Sequence, residues 1–291
     1  MRRRVPDQRN GAGLLGGPPV QKGLRNRQGP FRALGRSVKD MASLITTEKL
    51  SKTFSRKGSQ HHVLKNIDLE IDGADFTVVM GPSGAGKSTL LYALSGMDRP
   101  SLGRIVFDGQ NIEKMSEDKL ARFRLDHCGF VFQQVYLLDS LSVSDNVLAV
   151  GLLGSRRRRE VVERAGELFD RVGLPERTRV AVATTLSGGE AQRAGIVRAL
   201  IREPRVLFAD EPTGQLNSEA SDAVLDLLSD LHAGGQCILM VTHDVRSALR
   251  GSRILYLSDG VIVGDLKLGR FDRKDSGRRE RLQHFLEEMG W

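Results

Sequence analysis

An α/β fold built on a parallel sheet is predicted, and three observations predict it. The apolar run Phe76–Met80 feeds directly into "GPSGAGKST" (81–89) and then into "KSTLLYALSG", which reads strand, glycine loop, helix. Two later apolar runs, "RVLFAD" (205–210) and "CILMVT" (237–242), flank a helical pattern, as parallel strands joined by crossover helices require. Ahead of them lie the short β-rich runs "LITTEKL", "VLKNIDLEI" and "RIVFDG", and between about 112 and 185 helical signals dominate.

The elements follow in order. Residues 1–42 are rich in Arg, Gly and Pro, have no apolar periodicity and are expected to be a disordered basic extension. For this segment an arm for anionic lipid or RNA and a translation start at Met41 both stay open; a secretory signal is poor, because no apolar core follows the Arg-rich start. In the 112–185 stretch, Val161, Ala165, Leu168, Phe169 and Val172 share one helical face. The run Arg156 to Arg159 opens that helix and reads as a solvated face or as a contact for lipid headgroups or an acidic partner loop. A helix with Ala223, Val224, Leu227, Leu228 and Leu231 follows, ended by Gly234-Gly235. Asp259-Gly260 is a hairpin turn, and Arg278 to Met289 reads as a terminal amphipathic helix within a tail at 271–291.

Composition excludes some functions. The longest apolar runs fall far short of the roughly 20 residues of a membrane helix. Cys128 and Cys237 stand apart from any CxxC or Cys/His cluster and read as core residues of a chain in a reducing compartment. His61-His62 reads as loop, without metal-ligand spacing. The net charge of +8 has a single source: ten of the 44 basic residues and only Asp7 and Asp40 of the 36 acidic ones precede residue 41, leaving 34 of each. The remainder is neutral, so the high pI gives no reason to expect a nucleic-acid face.

The chemistry starts at "GPSGAGKST", which fits G-x-x-x-x-G-K-[ST] at Gly81, Pro82, Ser83, Gly84, Ala85, Gly86, Lys87, Ser88 and Thr89. Backbone N–H groups of such a loop surround phosphates, Lys87 reaches the β and γ oxygens, and the Ser88 hydroxyl coordinates Mg²⁺. "VLFADEP" ends an apolar strand on two acids. That strand is expected beside the one feeding the loop, so that Asp210 holds the metal shell and Glu211 polarises a water; two acids capping a turn is the plainer alternative. "TLSGGEAQR" opens a helix with Ser187, Gly188 and Gly189, either an anion site or an ordinary capping box of Ser187 with Glu190.

Phosphate loop, "LSGGE.QR", "DEP" and a later "THD", in that order, resemble the ATP-binding subunits of ABC transporters over about residues 43–265, within an expected ATPase domain at 43–270. The resemblance implies a RecA-like core, an N-terminal antiparallel β-subdomain and a helical signature subdomain, with ATP and Mg²⁺ as cofactors. It implies a homodimer in which Ser187, Gly188 and Gly189 close on the nucleotide held by the partner's loop. Phe54 falls where the family stacks an aromatic on adenine, unless it is a core residue. Gln133 matches the glutamine that senses Mg²⁺ and the attacking water, with Gln134 as an outside candidate. His243 matches the histidine that contacts the γ-phosphate, where a lone His is otherwise a packed bystander; Thr242 is expected only to end its strand. Two departures stand out: Ala191 interrupts the usual pair of glutamines, and Asn217 replaces the usual Asp of the subunit-crossing loop.

"GFVFQQVYLL", "DEPTG.LNS" and "LKLGRF…LEEMGW" look like the branch that includes macrolide exporters, lipoprotein-releasing ATPases and bacitracin-type peptide exporters. That implies an ATP hydrolase peripheral to the cytoplasmic face of the membrane, driving a separate integral permease, with no nucleic acid expected. A force-transmitting ATPase of the cell-division type, which moves no substrate, is the second reading. Soluble ABC proteins acting on ribosomes or DNA carry tandem domains or coiled-coil insertions for which the interval from Lys87 to Ser187 has no room. P-loop kinases give no reason for "LSGGE" with "DEP".

Overall fold

β1 (Ile45–Arg56) and β2 (Ser59–Ile71) form an antiparallel hairpin, after which β3 (Phe76–Met80) leaves for a second sheet and runs through the glycine loop into α1 (Lys87–Leu94). β4 (Leu102–Phe107) and β5 (Gln110–Asn111) return to the first sheet, in the order β2-β1-β4-β5. α2 (Glu117–His127) leads into β6 (Cys128–Phe132), and α3 (Val143–Gly151), α4 (Arg158–Arg171), the single turn α5 (Glu176–Arg179) and α6 (Gly188–Leu200) follow. The chain then alternates through β7 (Val206–Asp210), α7 (Ser218–Ala233), β8 (Cys237–Val241), the short α8 (Val245–Ala248), β9 (Arg253–Ser258), β10 (Val261–Lys267) and α9 (Arg278–Glu288). The second sheet has the order β10-β9-β3-β8-β7-β6, parallel throughout except for β10. This computed structural model describes residues 43–56, 58–154 and 157–291; the basic segment 1–42 and Arg156 lie outside the described residues.

Both faces of the parallel sheet are covered, so its strands are apolar at nearly every position and not only at alternate ones. Phe76, Val78 and Met80 of β3 face one apolar cluster with residues of α3, α4, α6, α7 and α9. Val79 faces the other, shared with α1, α2 and the antiparallel sheet. Asp259 and Gly260 both take positive φ (49° and 79°), the two left-handed positions that the predicted hairpin turn needs.

Four expectations are corrected. β7 does not lie beside β3: β8 runs between them, hydrogen-bonded to both. The 112–185 stretch is not helical throughout, since β6 within it forms the edge of the parallel sheet against β7. His61 and His62 belong to β2, opposite Phe54 and Thr53, and His62 Nδ1 lies 2.9 Å from Thr53 Oγ1. On α7, Ala223 is exposed and Leu225 and His232 are buried instead, because the covered face of the helix is turned away from Ala223 toward these two residues. The expected terminal helix packs its apolar face inward: Leu282, Phe285 and Leu286 enter the core, and the buried Arg278 donates to the carbonyls of Leu249, Leu268, Arg270, Gly251 and Gly269.

α7 also buries His232, its ring centroid 5.7 Å from that of Phe76 and its Nδ1 without a hydrogen-bond partner among the described residues. Burial, and secondarily the charge of Arg270, pushes its pKa down from 6.5 to about 4. The unfolded chain therefore binds a proton that the folded chain refuses between those values, and stability falls as pH drops through that window. His232→Leu is expected to flatten the slope of unfolding free energy against pH, by up to one proton, when denaturation is followed from pH 6.5 to pH 4. Parallel slopes for parent and variant would contradict the assignment.

Candidate nucleotide site

Strand register assembles the site. Val79 of β3 pairs with Val241 of β8, Val241 with Asp210 of β7, and Asp210 with Phe132 of β6. The residues just past this line, at one end of one sheet, are Gly81 and its loop, Thr242 and His243, Glu211, and Gln133. Ligands of open parallel sheets bind at this carboxyl edge.

Gly81 opens the loop with φ 146°, and a Cβ there would stand 2.0 Å from the Leu257 carbonyl oxygen, so no other residue fits. The loop ends at Gly86, the N-cap of α1, which supplies no side chain to cap the helix. The first N–H groups of α1 thus remain as donors aimed out of a glycine-rich turn, an arrangement suited to phosphate. Lys87 Nζ donates to the Gly81 and Pro82 carbonyls at 2.8 and 3.0 Å. Its burial lowers its pKa below the ordinary lysine range, while Glu211 and Asp210 pull the other way.

Ser88 Oγ donates to Asp210 Oδ1 at 2.9 Å, and the Tyr92 hydroxyl donates to Oδ2 at 2.6 Å. Burial, helped by that bond to Asp210, raises the Tyr92 pKa well above the usual phenol value. A hydroxyl and a carboxylate so placed are hard oxygen donors, the set that suits Mg²⁺. Glu211 takes a left-handed conformation, φ 48°, a strained state for a non-glycine residue that costs on the order of 1–3 kcal/mol. Its N–H extends the sheet by donating to the Val241 carbonyl, and its carboxylate lies 2.8 Å from His243 Nδ1 and 3.4 Å from Thr242 Oγ1. Thr242 therefore does more than end a strand: buried, it donates to Glu211 and accepts from the Asp244 N–H at 3.0 Å.

Gln133 and Gln134 follow β6 and are both exposed, and Gln133 lies against Gly214, where a Cβ would stand 2.7 Å from its Nε2. Phe54, at the far end of β1, is 44% exposed with Lys52 Nζ 4.8 Å from its ring centroid, which rules out the core reading. His243 is likewise exposed and not packed away. Ser187 forms the full capping box: its hydroxyl accepts from the Glu190 N–H and donates to the Glu190 carboxylate at 2.7 Å, and its N–H donates to the same carboxylate at 3.0 Å. Those bonds, the hydroxyl's first, hold Glu190 below the usual carboxylate range.

The sequence does not single out Tyr92, Gln192 or Arg198 for the site. Tyr92 lies four residues after Ser88, hence on the same helical face, and that spacing could have revealed it. Gln192 Nε2 donates to the Phe132 carbonyl at 3.1 Å, and Arg198 donates to those of Val135 and Tyr136, so α6 holds the segment after β6.

Residues 64–214 match the sequence pattern of the family described as "ABC transporter". The chain belongs to the ABC transporter family. As an ATP-binding cassette it is an ATP hydrolase. It is 39% identical over 222 residues to the macrolide export ATP-binding/permease protein MacB of Agrobacterium fabrum, an alignment covering 76% of this chain and 34% of that protein. The chain thus spans about a third of the length of the MacB proteins it matches. To YvrO of Bacillus subtilis, an uncharacterised ABC transporter ATP-binding protein, it is 37% identical over 76% of this chain and 96% of the relative. Among solved structures, the dimeric post-hydrolysis state of the ATP-binding cassette MJ0796, bound to ADP and Pi, superposes with a TM-score of 0.71. Identity there is 34%, over 78% of this chain and all of that one.

Asn217, which replaces the Asp usual at that place, is the N-cap of α7 and accepts from the Ala220 N–H at 2.9 Å. Asn and Asp cap equally well. Asn217→Ala is therefore expected to cost about 1 kcal/mol in urea denaturation, and Asn217→Asp to leave stability within a few tenths of the parent. A clear loss in Asn217→Asp would show that the cap is not what this residue contributes.

Proposed function

We propose that this cassette works as a head-to-tail homodimer that sandwiches two Mg-ATP and drives a separate integral membrane permease, for export or release of a peptide, lipoprotein or drug. One observation carries the reading: Ser187 and Gly188 stand exposed at a helix N-terminus, where the Ser187 hydroxyl and N–H bond to Glu190 of the same capping box and Glu190 is braced from behind by Thr178. A surface anion site that meets no ligand of its own subunit gains a purpose when a second subunit's triphosphate lies against it. The MJ0796 cassette is dimeric, which favours the same assembly here.

In this reading the loop 81–89 holds the phosphates, Lys87 turns from its carbonyls to the β and γ oxygens, and Phe54 stacks on adenine. Ser88, Asp210 and Gln133 hold Mg²⁺, which neutralises charge on the phosphate oxygens when bound. Glu211 accepts the proton of the attacking water. Thr242 and His243 hold its carboxylate in place, and His243 contacts the γ-phosphate. Ser187, Gly188 and Gly189 donate to the partner's γ-phosphate and exclude water.

No helix among the described residues is long and apolar enough to cross a membrane, so the permease is a different polypeptide or a different part of the protein. A docking surface for it lies on two adjoining loops: Leu141 and Ala183 are hydrogen-bonded, and Tyr136, Leu138 and Val180 nearby are each more than half exposed. Docking there places the cassette at the cytoplasmic face of the membrane. A force-transmitting ATPase that moves no substrate uses the same surface, and the partner recovered from membranes tells the two apart.

Glu211→Gln is expected to bind ATP normally, to elute as a dimer on size-exclusion chromatography with ATP, and to hydrolyse it about 10²–10⁴ times more slowly. Turnover near the parent's would remove Glu211 from the base role. In the parent, the rate per molecule is expected to fall on dilution; a rate indifferent to concentration would end the shared-pocket reading.

A further inference from the structure

The geometry points to Tyr92 as a positioning residue for the divalent cation of this site, fixing the Asp210 carboxylate through its hydroxyl. This rests on the reading of Ser88 and Asp210 as the Mg²⁺ site. Ser88 and Tyr92 lie one helical turn apart on α1, and their hydroxyls take one oxygen each of the same carboxylate, at 2.9 and 2.6 Å. The backbone of Asp210 is set independently, paired with Val241 on one side and Phe132 on the other. The freedom left to the side chain is rotation about its own bonds, and two donors on opposite oxygens stop it.

The two donors are not equivalent. Ser88 is called on by the cation itself, so its hold on Oδ1 changes when metal arrives. Tyr92 has no such second duty: its ring is packed at the edge of the apolar cluster beneath the sheet, and among the described residues its hydroxyl has one hydrogen-bond partner, Asp210. A phenol O–H to an ionised carboxylate at this length is among the stronger hydrogen bonds of a protein. Mg²⁺ demands near-octahedral oxygens at about 2.1 Å and tolerates little rotation of an acid that holds its water shell. Partners that orient metal-site carboxylates from behind are worth about tenfold or more in metal affinity.

Tyr92→Phe keeps the packed ring and removes only the hydroxyl. The readout is the binding of a fluorescent, non-hydrolysable ATP analogue by the full chain, in buffers of fixed free Mg²⁺ and in chelator. We expect the free Mg²⁺ that half-tightens nucleotide binding to rise about tenfold in Tyr92→Phe, with affinity in chelator unchanged. Ser88→Ala serves as control and should shift the same curve at least as far. An unmoved Mg²⁺ curve for Tyr92→Phe beside a shifted Ser88→Ala curve overturns the role of Tyr92 alone. Equal weakening with and without metal also overturns it, since Tyr92 would then merely pack α1. Curves unmoved in both variants would sink the reading of the metal site itself.

Discussion

Parallel register across four strands is the constraint on which the site depends. Val79, Val241, Asp210 and Phe132 sit side by side in one hydrogen-bonded row, and the glycine loop, Glu211, Thr242, His243 and Gln133 all begin one or two residues beyond it. A slip of one residue in β7 would turn Asp210 to the opposite face and carry Glu211 into the row. The slip is prevented because Val206 and Phe208 face one apolar cluster while Leu207 and Ala209 face the other. Two different cores thus hold the same strand from both sides, and the carboxylates inherit their placement from that burial.

Polar bonds then join what the strands align. Asp210 is tied to α1 through Ser88 and Tyr92, whereas Glu211 is tied to the end of β8 through Thr242 and His243. Adjacent acids are so attached to different elements, and the left-handed backbone of Glu211 is what lets their side chains part. Strain of that kind persists where the surroundings over-determine it, and the hydrogen bond from the Glu211 N–H to Val241 is one such restraint.

What could be read in the sequence was local. A glycine loop between strand and helix, acids after an apolar run, a serine three residues before a glutamate: each is complete within about ten residues, and each occupies the kind of element expected. What escaped was set by distant partners. Nothing near "CILMV" says that β8 lies between β3 and β7, since strand order follows from how crossovers pack and not from the strands. β6 hid in a helical stretch because five residues beside long helical patterns carry little periodic signal. His61 and His62 looked like loop because the far halves of β1 and β2 are largely exposed, which removes the apolar alternation. Tyr92 is missed, and Thr242 reads only as a strand end, for a different reason: the part each plays lies in one hydroxyl pointed at another element's carboxylate.

The capping box at Ser187 and the cap at Asn217 belong together. A Cβ on Gly188 would stand 3.2 Å from Leu216, and one on Gly189 would stand 3.1 Å from the Cβ of Ala220. The signature glycines therefore let the N-terminus of α6 rest on the loop that enters α7. Gln192 and Arg198 of the same helix hold the chain after β6, and Gln133 there lies against Gly214 of that loop. Three segments that the motifs present as separate thus form one contiguous body around the start of α6. Within it Asn217 performs the capping task as well as Asp would, so the charge missing at this position is not missed by the fold.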